Sequence, residues 1–332
     1  MTDTRNKPIV LVTGANGFIG SRLCRRFLDN GCHVIAGVRE TSDLTYLNGL
    51  AIEYKYGDIN RADTLTEMVA GVDYVIHNAG VVKARTADTF FMVNEDGTRN
   101  LMKAVIAHNP DVKKVVYISS LAAAGPSRNG KPVSEKDKPH PITVYGRSKL
   151  AGERVMLSYA DKCNVAVVRP PGVYGPGDKE IFAFFQTVYR GIRPAIGDSD
   201  RKLQLVHVDD LCRGIYRVTR AETTSGAIYF IAEDRAYAFR ELVTMLEQGC
   251  GKRTYPLPLP ALAFRGIAAV SEFAFKLVGA TPMLTREKAN ELLASWEIDT
   301  GRARKELDFY SEIPFATGAK QTYDWYLQEG WL

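Results

Sequence analysis

The sequence predicts an α/β protein built on a doubly wound parallel sheet, with a smaller and mostly helical lobe towards the C-terminus. Short apolar runs alternate with amphipathic stretches through the first two-thirds of the 332 residues, which is the pattern of repeated βαβ units. From about residue 236 onward the pattern becomes mostly helical and contains the proline-rich run PLPLPALAF.

Six apolar runs have the length and composition of buried strands. Strands of a parallel sheet are covered on both faces and are therefore almost continuously apolar. The predicted strands cover residues 9–13, 33–38, 52–56, 74–77, 115–119 and 165–169.

A glycine-rich turn joins the first strand to the first helix. The run TGANGFIG places Gly14, Gly17 and Gly20 at intervals of three, directly after an apolar strand and before an amphipathic helix. Glycine allows a tight turn and a close approach to a pyrophosphate, and the new helix directs its free N–H groups at the phosphate charge. This order predicts a Rossmann-type dinucleotide site, with Asn16 and the first helical residues Phe18 and Ile19 also contacting the cofactor.

The alternating pattern ends after Arg169, where the turn-rich run PPGVYGPGD begins. We therefore assign residues 1–172 and 203–232 to the dinucleotide-binding domain, and residues 173–202 and 233–332 to a substrate-binding lobe. The lobe is expected to lie over the carboxyl ends of the strands, where open α/β sheets bind their ligands.

The composition is that of an ordinary globular protein, with 45% hydrophobic residues, 24% charged residues and a formal charge of +5. Basic and acidic residues are interspersed, which argues against a nucleic-acid surface. The five cysteines are scattered and lack metal-ligand spacing, so we expect reduced thiols and no metal site. No apolar run is unbroken enough to span a membrane, and MTDTRNKP lacks the features of a secretory leader. These features predict a cytoplasmic enzyme.

The end of the second predicted strand indicates which dinucleotide is bound. NAD-binding proteins place an Asp or Glu there to accept hydrogen bonds from the adenosine ribose. This chain has Arg39, which can pair with a 2′-phosphate, so NADP is favoured and NAD remains possible. In the alternative interpretation Glu40 binds the ribose and Arg39 stacks on adenine or faces solvent.

Tyr145 and Lys149 form a candidate acid/base pair. Their spacing of four places them on one face of a helix. Composition alone gives about one such Tyr-x-x-x-Lys match by chance, so the position of the pair, on a helix between two predicted core strands, carries the interpretation. A neighbouring ammonium stabilises a phenolate, so Lys149 is expected to lower the pKa of Tyr145.

A serine pair at the end of the preceding predicted strand supplies the third group. We assign Ser120 to the hydroxyl that holds the substrate oxygen, with Ser119 as the structural alternative. In the alternative interpretation the pair is not catalytic, and Tyr145 is a core residue and Lys149 a surface residue.

These motifs together resemble those of the extended short-chain dehydrogenases/reductases, often called the NAD-dependent epimerase/dehydratase family. The resemblance covers roughly residues 8 to 232 and includes TGANGFIG, HNAG, YGRSK, RPPGVYGP and VHVDDL in family order. It implies a small-molecule substrate and a homodimer formed through the helix of Tyr145.

The same resemblance implies further site residues. In GDI, Asp58 would bind the adenine amino group beside Ile59, and in VNEDGTRN, Asn94 would steady the catalytic site. The residues implied at the nicotinamide half of the cofactor are Asn78, Ala79, Gly80, Pro170 and Val173.

Local departures from family patterns bear on the reaction. Sugar-nucleotide dehydratases of the family carry a carboxylate just after the catalytic hydroxyl residue, where this chain has Leu121 and Ala122. Many sugar-nucleotide epimerases carry an Arg-Asp pair where this chain has Leu203 and Gln204. The cations left to meet a phosphate are Arg190, Arg193, Arg201 and Lys202.

The stretch LQLVHVDDLCRGIY most resembles the branch of dihydroflavonol reductases, cinnamoyl-CoA reductases and 3β-hydroxysteroid dehydrogenases. We therefore expect an oxidoreductase that transfers hydride between NADP(H) and a carbonyl or alcohol of a largely apolar substrate. A nucleotide-sugar 4-epimerase with retained NAD is the alternative, and a cofactor-binding regulator without turnover is the third. The apolar segment 261–278 would roof the substrate pocket or form ordinary lobe core.

Overall fold

The computed structural model describes residues 7–277 and 284–332. The strands are β1 (Ile9–Thr13), β2 (His33–Val38), β3 (Glu53–Tyr56), β4 (Tyr74–His77), β5 (Lys114–Ile118), β6 (Val165–Arg169), β7 (Gly172–Tyr174), β8 (Ile192–Ile196), β9 (Lys202–Leu203), β10 (Leu205–His207), β11 (Ala227–Phe230), β12 (Tyr237–Ala238) and β13 (Tyr255–Leu259). The helices are α1 (Phe18–Asp29), α2 (Thr66–Val69), α3 (Ala87–Phe91), α4 (Gly97–His108), α5 (Leu121–Ala124), α6 (Val144–Leu157), α7 (Phe182–Tyr189), α8 (Val208–Arg220), α9 (Phe239–Cys250), α10 (Ala261–Leu277), α11 (Arg286–Leu293), α12 (Gly301–Leu307) and α13 (Phe315–Gln328).

A seven-stranded sheet forms the centre of the molecule, in the order β11-β6-β5-β4-β1-β2-β3. Every pair of neighbouring strands in it is parallel. The predicted α/β fold class is therefore confirmed, and the six predicted strands are present to within one residue at each end. The seventh strand, β11, was missed because its four residues follow a turn-rich run without an alternating or extended apolar pattern. The chain reverses its direction of winding between β1 and β4, which places a ligand crevice at their carboxyl ends.

Helices cover both faces of the sheet, so the strands are buried on both sides. One core lies against α1 and α8, with Leu23, Phe27 and Leu211 fully buried. The other lies against α2, α4 and α6, with Leu101 and Met156 fully buried. Burial on both faces explains why the strands are apolar at nearly every position.

A third core, built mainly from α7, α9 and α13, forms the lobe. It is rich in aromatic side chains and includes Phe185, Leu246, Phe315 and Tyr326. Helix α12 differs from the predicted division, because its residues pack with β11 and α8 in the core of the sheet domain. Sequence position placed these residues in the lobe, whereas the apolar side chains of Ala303 and Leu307 complete the sheet domain instead.

The cysteines and the helix lengths can be compared with the sequence-based expectations. The five cysteines are free thiols, four of them buried. Among the described residues, no helix combines the length and the apolar character needed to cross a membrane.

Candidate active site

The glycine-rich turn after β1 brings the backbone close to the neighbouring strand. Gly14 has a φ of +63°, and a Cβ there would lie 2.8 Å from the Cα of Ala79. A Cβ on Gly20 would lie 2.1 Å from the carbonyl oxygen of Gly14. Both positions therefore require glycine. Without side chains at these positions, the backbone of the turn can approach a ligand closely.

The amino end of α1 is open. Gly17 is its N-cap residue and supplies no side-chain hydrogen bond, so the first N–H groups, beginning at Phe18 and Ile19, have no side-chain cap. Asn16 is tied across the crevice by a 3.2 Å hydrogen bond from its side-chain amide to the Asp43 carbonyl oxygen. An uncapped helix end beside a glycine turn has the donors and the positive dipole that a pyrophosphate needs, so these residues fit the cofactor.

The residues predicted to bind the adenosine half lie after β2 and β3. Arg39 follows β2 directly and is exposed, and its backbone N–H donates to the hydroxyl of Ser42 at 3.1 Å. Asp58 follows β3, where one carboxylate oxygen accepts from the N–H of Asn60 at 2.9 Å. Ile59 is buried behind it. Parallel strands end at one edge of the sheet, so Arg39 and Asp58 lie on the same side of the crevice as the glycine turn.

The segment after β4 lies against the glycine turn. The side-chain amide of Asn78 donates to the Gly14 carbonyl oxygen at 3.2 Å, and the Ala79 N–H donates to the Thr13 hydroxyl at 3.1 Å. A Cβ on Gly80 would lie 2.9 Å from Oδ1 of Asn94. Close packing here fixes the floor of the crevice between β1 and β4.

The two other residues implied at the nicotinamide half follow β6. Pro170 is buried, and its carbonyl oxygen accepts from the N–H of Leu121 at 2.7 Å. Val173 is partly buried in β7, where it pairs with Val206. Pro170 therefore lies beside the residues that follow β5, whereas Val173 lies beside β10.

Ser120 and Tyr145 meet at the carboxyl edge of the sheet. Ser120 is the N-cap residue of α5, and Tyr145 is the second residue of α6. Burial raises the pKa of Tyr145 to about 12, although a hydrogen bond with the Ser120 side chain opposes that rise. The phenol is therefore protonated at neutral pH and can donate a proton.

Lys149 lies one turn further along α6 and is buried. Its ammonium donates to the Ile118 carbonyl oxygen at 2.6 Å and lies 4.3 Å from the centre of the Tyr117 ring. Burial lowers the pKa of Lys149 to about 7, against the effect of the Glu153 carboxylate. The expected lowering of the Tyr145 pKa is not found, because desolvation of the phenolate is the dominant effect at this position.

Asn94 lies in a turn of π-helix, Met92–Asp96, and its side chain is buried. Its amide accepts from the Val81 N–H at 3.0 Å and donates to the Val81 carbonyl oxygen at 3.1 Å. It also donates to the hydroxyl of Ser148 at 2.9 Å. Isolated π-turns are frequent at functional sites. Here the turn locks the loop after β4 to the helix of Tyr145, and Ser148 is a contributor that the sequence analysis missed.

A buried chain of hydrogen bonds through His77 joins the glycine turn to the same π-turn. Its Nδ1 lies 2.9 Å from the Thr13 hydroxyl and its Nε2 3.0 Å from the Thr98 hydroxyl. Thr98 donates to the Asn94 carbonyl oxygen at 2.8 Å, so it must accept from His77. Burial lowers the pKa of His77 to about 3, so its imidazole is neutral and serves as a structural link.

A buried ion pair lies behind Lys149. Glu153 accepts two hydrogen bonds from the Arg169 guanidinium, at 2.8 and 2.6 Å, and one from the Ser119 hydroxyl at 2.5 Å. Both charged side chains are almost fully buried. Ser119 thus faces the ion pair, whereas Ser120 faces Tyr145. The sequence did contain a signal for this ion pair, which the sequence analysis missed. Glu153 lies one turn after Lys149 on a helix between core strands, and Arg169 ends a buried strand.

The lobe contacts the catalytic helix through Glu287 of α11. Its carboxylate accepts from the Val144 N–H at 2.7 Å and from the Arg147 guanidinium at 2.9 Å. Val144 precedes Tyr145, and a carboxylate at this end of a helix also complements the helix dipole. The lobe therefore helps to position the start of α6, next to Tyr145, which no local pattern indicated.

The chain is similar to known enzymes over most of its length. The sequence profile described as the NAD dependent epimerase/dehydratase family matches residues 10–232. A ceramide reductase from Caulobacter vibrioides is 28% identical over 333 residues, covering 100% of this chain and 98% of the relative. A 3 beta-hydroxysteroid dehydrogenase/Delta 5-->4-isomerase from Mycobacterium tuberculosis is 27% identical and covers 90% of this chain and 85% of the relative.

Solved structures show the same fold. The dTDP-glucose 4,6-dehydratase from Streptomyces venezuelae, determined with NAD bound, superimposes with a TM-score of 0.77 at 25% identity. The alignment covers 97% of this chain and 98% of the dehydratase. The family match extends over most of the sheet domain, which contains the glycine turn and the helix of Tyr145.

Proposed function

The chain belongs to the NAD-dependent epimerase/dehydratase family, and from this premise we propose that it is an NADP(H)-dependent reductase of largely apolar carbonyl compounds. In the reverse direction it would oxidise the corresponding alcohols. The family comprises several chemistries on one fold, so the choice among them depends on local residues rather than on the fold.

The observation that carries the proposal is the environment of Gln204. Many sugar-nucleotide epimerases of the family carry an Arg-Asp pair where this chain has Leu203 and Gln204, and here the Gln204 side chain is buried with both its nitrogen and its oxygen hydrogen-bonded. It donates to the Glu233 carbonyl oxygen at 2.6 Å and accepts from the Ile298 N–H at 2.9 Å. Leu203 beside it packs against the lobe core. This position therefore offers no cation to a sugar diphosphate.

Two of the four nearby cations make contacts within the protein. Arg201 is buried, donates to the carbonyl oxygens of Ile196 and Asp198, and lies 3.8 Å from the centre of the Phe239 ring. Arg193 makes a two-bond ion pair with Glu247 at 2.7 and 2.8 Å. Two of the four candidate cations are therefore held by contacts within the protein, which favours a substrate without a diphosphate, whereas Arg190 and Lys202 are exposed.

The residues after Ser120 argue against dehydration. Leu121 and Ala122 are buried in α5 and carry no group that could remove a proton. Elimination of water needs a base beside the carbon that loses its proton. The residues that follow Ser120 therefore favour hydride transfer without dehydration.

A nicotinamide cofactor bound in the crevice would be the source of the hydride that reduces the carbonyl carbon. Tyr145 donates its phenolic proton to the substrate oxygen, since burial keeps the phenol neutral at working pH. The Ser120 hydroxyl donates a hydrogen bond to the same oxygen as negative charge develops there. Lys149 stabilises the resulting phenolate when its amine is protonated.

The cofactor preference rests on Arg39. Among the described residues no ion pair engages its guanidinium, so it is free to pair with a 2′-phosphate. The names of the relatives support an apolar substrate, because a ceramide and a hydroxysteroid are both lipids.

Cofactor exchange separates the proposal from a nucleotide-sugar 4-epimerase. A reductase releases oxidised cofactor in each cycle, whereas an epimerase retains it and consumes none. We expect NADPH to be consumed when aromatic, alicyclic or long-chain ketones and aldehydes are added. UDP-, GDP- and dTDP-sugars should produce no epimer and no thermal stabilisation. A true ligand at a hundred times its Kd would stabilise the fold by about 2.7 kcal/mol, so its binding would be detected as a thermal shift. Cofactor that stays bound through purification, together with a thermal shift from a nucleotide sugar, would refute the reductase.

A further inference from the structure

The exposed apolar side chains of the protein are concentrated in one segment. Fourteen large apolar residues are exposed among the described residues, and seven of them lie between Tyr255 and Phe275. The four most exposed belong to this segment: Leu262 at 82%, Tyr255 at 81%, Val270 at 70% and Phe273 at 64%. Isolated exposed apolar residues are normal, but a cluster of this kind marks an interaction surface.

Helix α10 has two apolar sides. On its inner side Phe264 and Ala268 are buried against Ala289 of α11. On its outer side Leu262, Val270 and Phe273 are exposed and lie within an arc of about 80° of the helix. Because Phe264 and Ala268 hold the first half of the helix against α11, the opposite side faces solvent. The alternative of ordinary lobe core thus fits the inner side only, and residue 278 of the predicted apolar segment lies outside the described residues.

Cations border this surface at the start of β13. Lys252 and Arg253 are exposed, and the ammonium of Lys252 lies 4.6 Å from the centre of the Tyr189 ring. Arg190 is also exposed. It lies near this pair because the Tyr255 N–H donates to the carbonyl oxygen of Gly191, the residue that follows Arg190. Exposed Arg265 lies on α10 itself, and its Nε donates to the Asn290 side-chain oxygen at 3.0 Å.

We propose that the outer side of α10, with β13 and its bordering cations, docks onto an anionic membrane surface. An apolar helix face rimmed by Lys and Arg can insert into the headgroup boundary while the cations meet anionic lipids. A second copy of the chain fits less well, since a two-fold interface would bring the same cations together across it.

The docking surface is connected to the catalytic helix. Helix α10 packs on α11, and Glu287 of α11 hydrogen-bonds the backbone of Val144, next to Tyr145. Docking would therefore place the substrate lobe at the lipid layer. If the proposed function is right, an apolar substrate could then pass from the membrane to the site without crossing water. The docking itself does not depend on that function.

Co-sedimentation with vesicles tests the proposal without any substrate. The full chain is mixed with vesicles of phosphatidylcholine alone, or of phosphatidylcholine with phosphatidylglycerol, at low and high salt. We expect binding to the mixed vesicles that weakens with salt. Leu262→Gln with Phe273→Gln should reduce it by at least about tenfold, because two apolar side chains leave the bilayer boundary. Lys252→Gln with Arg253→Gln should reduce it roughly 10- to 30-fold on the anionic vesicles only.

A matched control uses Tyr310→Gln with Leu327→Gln, which replaces one aromatic and one leucine that are exposed elsewhere, at 51% and 42%. This variant should bind vesicles like the wild type. All variants are checked for unchanged thermal unfolding and NADPH binding, so that misfolding is recognised. Absence of wild-type binding, or equal losses in the control, would overturn the proposal. A wild-type dimer that Leu262→Gln with Phe273→Gln converts to a monomer would also overturn it and assign the surface to a second copy.

Discussion

Replacing Glu153 by Gln should lower the pKa of Lys149 and destabilise the fold. Glu153 lies one helical turn after Lys149 and opposes the burial that lowers the lysine pKa to about 7. In Glu153→Gln this charge is lost, while the guanidinium of Arg169, 2% exposed, stays in place. The amine then experiences an uncompensated positive charge as well as burial.

The size of the effect follows from Coulomb's law. Unit charges about 6 to 10 Å apart interact by roughly 1.7 to 2.8 kcal/mol at an effective dielectric constant of 20. Since about 1.4 kcal/mol corresponds to one pH unit, the pKa of Lys149 should fall from about 7 to roughly 5 or 6. Removing one partner of a buried ion pair costs about 3–5 kcal/mol, which lowers Tm by roughly 4 to 7 °C for a chain of this length.

The pH dependence of NADH binding measures the pKa of Lys149. The ammonium form is present below the pKa and lost above it, and it is this form that we expect to hold the nicotinamide ribose. Affinity should therefore fall as pH rises through about 7 in the wild type, and at a lower pH in Glu153→Gln. NADH is used because it lacks the 2′-phosphate, whose own ionisation would complicate the profile.

Two controls make the result interpretable. Lys149→Met should abolish the pH step, because the titrating group is gone. Glu153→Met with Arg169→Met should recover most of the lost stability, because no buried charge is left unpaired. An unchanged midpoint in Glu153→Gln, measured on protein whose Tm has fallen, would refute the electrostatic coupling between the two residues.

Three further predictions concern the same site. Tyr145→Phe keeps the ring but removes the proton donor, so turnover should fall about 10²- to 10⁴-fold while NADPH binding is retained; wild-type turnover would contradict the assignment. Arg39→Glu should reverse a preference for NADPH over NADH that is worth roughly 1.5–3 kcal/mol, and equal titration curves in both proteins would exclude Arg39 as the determinant. Gly20→Ala places a Cβ 2.1 Å from the Gly14 carbonyl oxygen and should abolish cofactor binding, whereas Gly266→Ala, with nothing within 4 Å, should leave it intact.

The sequence alone determined the class of fold and the glycine-rich turn that we propose binds the cofactor. Both depend on local patterns. These are the apolar runs that form buried strands and the glycine-rich turn between a strand and a helix. Neighbouring residues specify such features, because hydrophobic periodicity and backbone freedom act over a few positions. The positions of Tyr145 and Lys149 on one helix face belong to this group.

The tertiary structure alone decided the electrostatics of the site and the character of the lobe. Burial, not the lysine, sets the pKa of Tyr145, and the Glu153 pair with Arg169 joins residues sixteen positions apart. Glu287 reaches the catalytic helix across 143 positions of the chain. An apolar helix such as α10 has the same sequence pattern whether its outer side is covered or exposed. Desolvation and long-range contacts depend on which surfaces meet, and only the folded chain specifies that.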